Sequence, residues 1–322
     1  MKYKELLDEY VVKYGPTTTK LGLARMLFKK YPNIFKSIET ARSAIRAYCG
    51  MNGEKGRSNL KNNRHFVLLD PEVLNPTMLY EVKKEKTKIL GLMDIHVPFQ
   101  DIRAVETAVE YGIKKGADTV ILNGDIFDHY TNGKYEKDPK KRDFEEDFHQ
   151  YTNFLFELRC AFPHAEIIFK IGNHELWWFN HFIRNGMGPI LNVEYFDYDK
   201  VMGFEELNIR MIKDYTTIKI GPYSLLHGHE YRGGAGSDRP AKWLSLRTHD
   251  SAICGHWHKT DDFYVTTHGG NQVSFHSVGC LSLLNPKYMP YNKWNHGFLF
   301  MEKDMEEVDI ENKRLNKKYK IL

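Results

Sequence analysis

Over about the first 50 residues, apolar positions recur at the three- and four-residue spacing of helices that bury one face. Leu6, Leu7, Tyr10, Val11 and Tyr14 form one such stripe, which Gly15-Pro16 stops. A second helix is predicted from Thr19 to about Lys30, burying Leu21, Leu23, Met26, Leu27 and Phe28 and ended by Pro32. A third starts near Ser37, whose hydroxyl suits an N-cap, and ends at Gly50. Its Arg42 and Arg46 lie one turn apart and share a face with Glu39. Residues 52–64 are polar, rich in Asn, Gly and basic side chains, and read as a linker.

From near residue 87 the period changes. Strand-like runs at Ile89–Met93, Thr119–Leu122 and Glu166–Ile171 alternate with helical stretches at Asp101–Lys115 and Phe144–Cys160. That alternation predicts an α/β domain whose sheet is buried between helices. A more β-rich part follows, with Ile218–His227, Ser251–Cys254, Phe263–Thr267 and Val273–Val278 as strands. The expected division is a small all-α domain with its linker over 1–64 and an α/β domain over 65–322.

Charge separates the same two regions. Residues 1–64 carry 14 Lys and Arg against 5 Asp and Glu, whereas the remainder carries 32 against 37. A basic front end on a mildly acidic body points to a polyanionic partner, nucleic acid first, with a solvated helical surface as the plainer alternative. Three helices with a basic last one resemble a helix-turn-helix, although the Tyr31 to Lys36 connection is longer than its usual tight turn. No apolar run approaches the roughly 18 residues of a membrane span, and the charged MKYKELLDEY start lacks a secretory pattern. Cys49, Cys160, Cys254 and Cys280 are scattered without CxxC spacing and read as reduced thiols. A cytoplasmic protein without a membrane partner is expected.

Candidate chemistry is concentrated where predicted strands end. Asp94-Ile95-His96 follows ILGLM, Gly124-Asp125-Ile126-Phe127-Asp128 follows TVILN, and Gly172-Asn173-His174-Glu175 follows EIIFKI. His227-Gly228-His229 follows YSLL, and Gly255-His256-Trp257-His258 follows SAIC. Side chains from the carboxyl ends of several strands converge in α/β sheets, and the glycines permit sharp turns there. Any one of these motifs alone would more often be a hydrogen-bonded core histidine; five in one chain are not coincidence. Carboxylate, imidazole and amide donors suit Mn, Fe, Zn or Ni, and the lack of thiolates disfavours a structural zinc site of the cysteine type.

In this order, DxH, GDxxD, GNHE, HGH and GHxH, the set resembles the calcineurin-like metallophosphoesterase superfamily over roughly residues 87–300. The resemblance implies a four-layer α/β/β/α sandwich with two metals at one edge. One metal would take Asp94, His96, Asp125 and His258; the other would take Asp125, Asn173, His227 and His256. It also implies phosphate-ester hydrolysis by a metal-bridged hydroxide, with Mn the first expectation among the metals. His174 is the candidate to protonate the leaving oxygen. Asp128 and Glu175 resemble acids that orient motif histidines. His229 is either a substrate contact or structural, and His268, His276 and His296 match no motif position.

For the substrate, the Ser/Thr protein phosphatase branch continues its second motif with Arg-Gly, where this chain reads Asp128-His129-Tyr130. That departure leaves a phosphodiesterase or nuclease acting on nucleic acid, DNA first, or nucleotides as the leading expectation. A phosphomonoesterase and a DNA-binding protein with a non-catalytic metal centre are the alternatives. Trp177, Trp178 and Trp257 are candidate stacking surfaces for bases, or else packing. Residues 134–147 are a candidate lid, and Arg232 and Arg239 are candidate phosphate contacts or members of a solvated loop.

Overall fold

A computed structural model of the chain describes residues 3–15, 18–51, 78–133, 144–213, 215–231, 238–286 and 289–322. Two compact units divide the chain, Met1–Leu74 and Asn75–Leu322. The 64/65 boundary and the 52–64 linker lie outside the described residues.

The first unit contains α1 (Tyr3–Tyr14), α2 (Lys20–Lys30) and α3 (Ile38–Tyr48). Thr19 and Ser37 cap α2 and α3, accepting from Gly22 N and Thr40 N at 3.1 Å each. Leu6, Leu7, Tyr10, Leu23, Ala24, Leu27, Phe35, Ala41 and Ile45 form the core. Leu21 and Met26, expected inside, are 38% and 37% exposed. The inner stripe runs through Leu23, Ala24 and Leu27, and at about 100° per residue both lie roughly a third of a turn from its centre.

The second unit holds two six-stranded sheets. Its strands are β1 (Met78–Glu81), β2 (Lys86–Leu92), β3 (Thr119–Asn123), β4 (Glu166–Lys170), β5 (Ile209–Ile212) and β6 (Thr216–Ile220). They continue with β7 (Tyr223–Leu226), β8 (Ala252–Cys254), β9 (Asp261–Thr266), β10 (Gln272–Ser277), β11 (Gly297–Asp304) and β12 (Glu307–Arg314). The helices are α4 (Ile102–Lys115), α5 (Phe144–Ala161), α6 (Asn173–Arg184), α7 (Tyr198–Val201) and α8 (Pro240–Thr248). The first sheet runs β12-β11-β2-β3-β4-β5 and the second β1-β6-β7-β8-β10-β9.

Alternation along the strands builds the layers. Leu90, Leu92, Val120, Leu122, Ile167 and Phe169 face the helices, packing on Ala104, Ala108, Tyr151, Leu155, Trp178 and Phe182. Their neighbours Ile89, Ile121, Ile168, Leu299 and Met301 face Ile218, Ile220, Leu225 and Ile253 of the second sheet. Leu226, Ala252, Cys254 and Phe275 cover α8 through Ala241 and Leu244. The order helix, sheet, sheet, helix is the expected four-layer sandwich, and the strands read as continuous apolar runs because both faces are covered.

One expected strand is two. Ile218–His227 contains a hairpin in which Ile220 pairs with Tyr223, and Gly221 turns the chain at φ 51°. The parallel strands β2, β3 and β4 and the mutually parallel β7 and β8 end beside the five motifs.

Candidate metal centre

The backbone at these strand ends is unusual. Asp94, His96, Asp125, His256 and His258 all sit in the left-handed region, with φ between 51° and 67°. Non-glycine residues enter this region rarely and at a cost, and such residues cluster where a site dictates side-chain direction. Bonds between the strand ends hold them: Asp94 N to Gly124 O at 3.1 Å, His96 N to Asp125 O at 3.0 Å, and Gly255 N to His227 O at 2.9 Å. Buried Glu175 accepts from Asp125 N, Ile126 N, Phe127 N and Gly172 N, between 2.8 and 3.0 Å. It ties the turn after β3 to the start of α6; it was expected to orient a histidine, and its oxygens are committed to the backbone. A Cβ at Gly172 would collide with Asp125, and one at Gly255 with Asp94.

The side chains gather in three adjoining groups: Asp94, His96 and His258; Asp125, His227 and His256; and His96, Asp128 and His174. Asp94 Oδ1 lies 3.2 Å from His258 Nε2, His96 Nε2 lies 3.2 Å from His258 Nε2, and Asp125 Oδ2 lies 3.2 Å from His227 Nε2. Donors at about 2.0–2.2 Å from one cation stand about 3–3.5 Å apart, so these separations suit a shared cation. Unmet polar atoms point the same way. Asp94 Oδ1, Asn173 Oδ1 and His227 Nε2 are buried without a hydrogen bond, although such groups are ordinarily satisfied. The far nitrogens are held: His96 Nδ1 by Asp128 Oδ1 at 3.0 Å, and His227 Nδ1 by the Asn123 carbonyl at 2.8 Å.

Electrostatics fits a cation as well. Burial pulls the His227 pKa down, yet the Asp125 carboxylate pushes it up to about 10. His174, against the same burial, is pushed up to about 9 by Asp125 and Asp128. Burial would raise Asp125 and Asp128, but the neighbouring histidines hold both below the usual carboxylate range. His256 is pushed down to about 3 by burial and by its neighbour His227. The field that draws protons onto His227 and His174 is the field that a divalent cation would answer.

His174 stands at the rim, its side chain 13% exposed. Its backbone N–H reaches Asp125 Oδ1 at 2.9 Å, and its Nδ1 lies 2.8 Å from the Asp128 carbonyl and 3.3 Å from Asp128 Oδ1. The Trp177 ring lies over it with centroids 3.8 Å apart. Asp128 therefore positions both His96 and His174.

The other expected contacts divide between the site and the rest of the fold, with Trp257 5.3 Å from the His256 ring and His229 near His227. Trp178 is 1% exposed in the helix-side core and offers no face to a base. Trp257 packs on Trp243 at 5.1 Å. Arg239 is bound to Asp261 at 2.9 Å, while Arg232 and residues 134–143 lie outside the described residues. Residues 144–147 open α5. His229 lies 3.7 Å from Glu230, and its ring is 5.4 Å from that of His227. His276 pairs with Asp262 at 2.7 Å, His296 Nε2 lies 3.0 Å from the Ser282 carbonyl, and His268 is exposed. His129 is buried, 2.8 Å from the Tyr198 hydroxyl. Three contributors carried no motif: Trp294, whose ring lies 4.1 Å over His258, and the paired Lys170 and Glu230. The lysine inside the apolar run EIIFKI was the available signal.

Among curated proteins, the Gene 54 protein of Mycobacterium phage L5 is 24% identical over 238 residues, covering 70% of this chain and 92% of the phage protein. Vacuolar Protein Sorting 29 from Cryptosporidium parvum aligns at 12% identity over 74% of this chain and 96% of its own, with a TM-score of 0.39. The E. coli phosphoesterase YfcE aligns at 14% identity over 73% and 96%, with a TM-score of 0.36. The family model of the calcineurin-like phosphoesterases matches residues 87–304. That span runs from β2 to the end of β11 and contains all five strand-end motifs, so the chain belongs to the calcineurin-like phosphoesterase family and is a metal-dependent hydrolase of phosphate esters.

Proposed function

We propose that the chain cleaves phosphodiester bonds of nucleic acid, DNA first, or of nucleotides, using two divalent cations. Asp94, His96, Asp125 and His258 hold one, and Asp125, Asn173, His227 and His256 hold the other, with Asp125 common to both. Manganese is the first choice, and Fe, Zn or Ni suit the same donors. When bound, the cations supply Lewis acidity toward the phosphoryl oxygens and an activated water. The protein's own part is orientation and proton delivery. Asp128 fixes the Nδ1 side of His174, so that its Nε2 side serves the leaving oxygen.

The observation that carries the diester reading is the place of His129. It occupies the position where the protein phosphatase branch has its phosphate-gripping Arg, and it is 1% exposed inside an aromatic cage of Phe127, Phe148, Tyr151, Trp178 and Tyr198. Among the described residues, no Arg or Lys is ion-paired with Asp94, Asp125 or Asp128. A diester monoanion needs less cationic help than a monoester dianion. The basic first unit supports a nucleic-acid partner: Arg25, Lys29, Lys30 and Arg46 are exposed on α2 and α3. No described helix is long and apolar enough to cross a membrane, and the four free cysteines fit the cytoplasm.

The test is Mn²⁺-dependent hydrolysis of bis-p-nitrophenyl phosphate, p-nitrophenyl phosphate and labelled single- and double-stranded DNA, with Asp125→Asn as control. Diester cleavage lost in the control is expected. Cleavage of the monoester alone would replace the reading with a phosphatase. Neutralising Arg25, Lys29 and Arg46 together should flatten the dependence of DNA affinity on log salt; an unchanged slope removes the first unit from the argument.

A further inference from the structure

Lys170 ends β4, and its side chain is fully buried, a costly place for an ammonium group. Its Nζ lies 2.9 Å from Glu230 Oε1. That oxygen also accepts the His227 backbone N–H at 3.0 Å, and Oε2 accepts that of Gly228 at 2.6 Å. Lys170 stands three residues before Asn173, and Glu230 three after His227. The ion pair thus joins the end of β4 in the first sheet to the turn that follows β7 in the second, at the two places that present Asn173 and His227.

Stability does not account for such a pair, because buried ion pairs are roughly neutral against apolar residues of similar volume. Geometry does. Gly228 turns at φ 125°, and the two Glu230 oxygens fix both N–H groups of that turn. His227 is also held at its carbonyl by Gly255 N at 2.9 Å and at Nδ1 by the Asn123 carbonyl, which orients the ring without setting how far it stands from Asn173. We propose that Lys170 and Glu230 are positioning residues that set the half of the centre formed by Asn173, His227 and His256, and so govern the uptake of one cation of the two. The inference rests on the two-cation reading above. Gln at 230 would offer one acceptor oxygen to two N–H donors, and Met at 170 would leave the carboxylate buried without its cation.

The experiment is calorimetric titration of metal-free full-length protein with Mn²⁺. Wild type should take up two cations. Glu230→Gln and Lys170→Met should each keep one step at wild-type affinity and weaken the other about ten- to a hundredfold, and excess Mn²⁺ should restore kcat. Asp128→Asn, which removes the charge behind the His96 Nδ1 contact, should weaken the complementary step. Should Lys170→Met fail to fold, the double variant Lys170→Met/Glu230→Gln removes both buried charges, with the same selective loss expected. Two unchanged steps in the folded variants, or two equally weakened ones, would overturn the assignment while leaving the two-cation reading standing. A wild type with fewer than two steps would overturn both.

Discussion

The two halves of the centre are held by different means. Around His96 and His258 the restraints on the rings come from side chains, Asp128 on His96 Nδ1 and the Trp294 ring 4.1 Å from His258, beside the backbone bond from His96 N to Asp125 O. His258 Nδ1 is buried without a hydrogen bond, so packing against the tilted Trp294 ring does for this ring what a hydrogen bond does for His96 and His227. Around His227 the restraints pass through the backbone: the Asn123 carbonyl, and the Glu230 oxygens on two successive N–H groups. A side-chain restraint fails alone, whereas a backbone restraint takes its turn and neighbours with it. Single substitutions should therefore act locally in the first half and regionally in the second.

In the two-cation reading proposed above Asp125 serves both halves, lying 3.2 Å from His227 Nε2 and 4.0 Å from His96 Nε2, and its loss should erase the distinction. Asp125→Asn removes the carboxylate nearest His227 and weakens the anchor of His174 N. Several kcal/mol of transition-state charge stabilisation are at stake. A fall in kcat on the order of 10³-fold is expected, with fewer than two metals per chain by elemental analysis. A variant that kept both metals and most of its rate would show that Asp125 is not shared. Asp128→Asn comes next, because Asp128 touches His96 and His174 and no group on the His227 side. A loss of roughly 10²-fold in kcat is expected, with weaker binding of one cation only. Equal weakening of both would show that the halves are mechanically one.

The sequence exposed this centre unevenly. Strand-end motifs stand out because all five place donor side chains behind an apolar run, four of them with a glycine, and those runs are unbroken because both sheet faces are covered. The restraints are less visible. Trp177 and Trp178 are adjacent letters, but about 100° of helical rotation sends Trp178 into the core beside Phe182 and Trp177 over His174. Glu175 carries a motif position yet spends its carboxylate on four backbone donors, a role that no residue pattern distinguishes from orienting a histidine. Trp294 approaches His258 across 36 positions of chain, where periodicity carries no information. The Gly221-Pro222 dipeptide is a turn signal inside an otherwise apolar run, and pairing of Ile220 with Tyr223 turns it into a hairpin.

Metal removal sharpens the comparison through pH. His227 and His174 have folded pKa values raised to about 10 and about 9 in the metal-free protein. A raised value stabilises the fold fully below the unfolded pKa of about 6.5, and that contribution is lost as pH rises through the folded value. The melting temperature of metal-free protein should therefore decline between about pH 6.5 and 10. Cation at a hundred times its Kd should add about 2.7 kcal/mol and replace the protons, flattening the decline. Thermal melts with chelator and with Mn²⁺ check this; parallel curves would mean that protons and cation do not compete for the same groups.

The smallest expected effect isolates the aromatic packing restraint on His258. Trp294→Ala should leave His227 and its loop untouched and free only the His258 ring. Aromatic pairs of this kind contribute about 0.5–1.5 kcal/mol, so one cation should bind roughly two- to tenfold more weakly while the other is unchanged. Trp294→Phe, which keeps a ring over His258, should recover most of the loss. If Trp294→Ala binds both cations as wild type does, then His96, Asp94 and the left-handed backbone at 258 suffice to aim the ring, and the two halves differ less than their contacts imply.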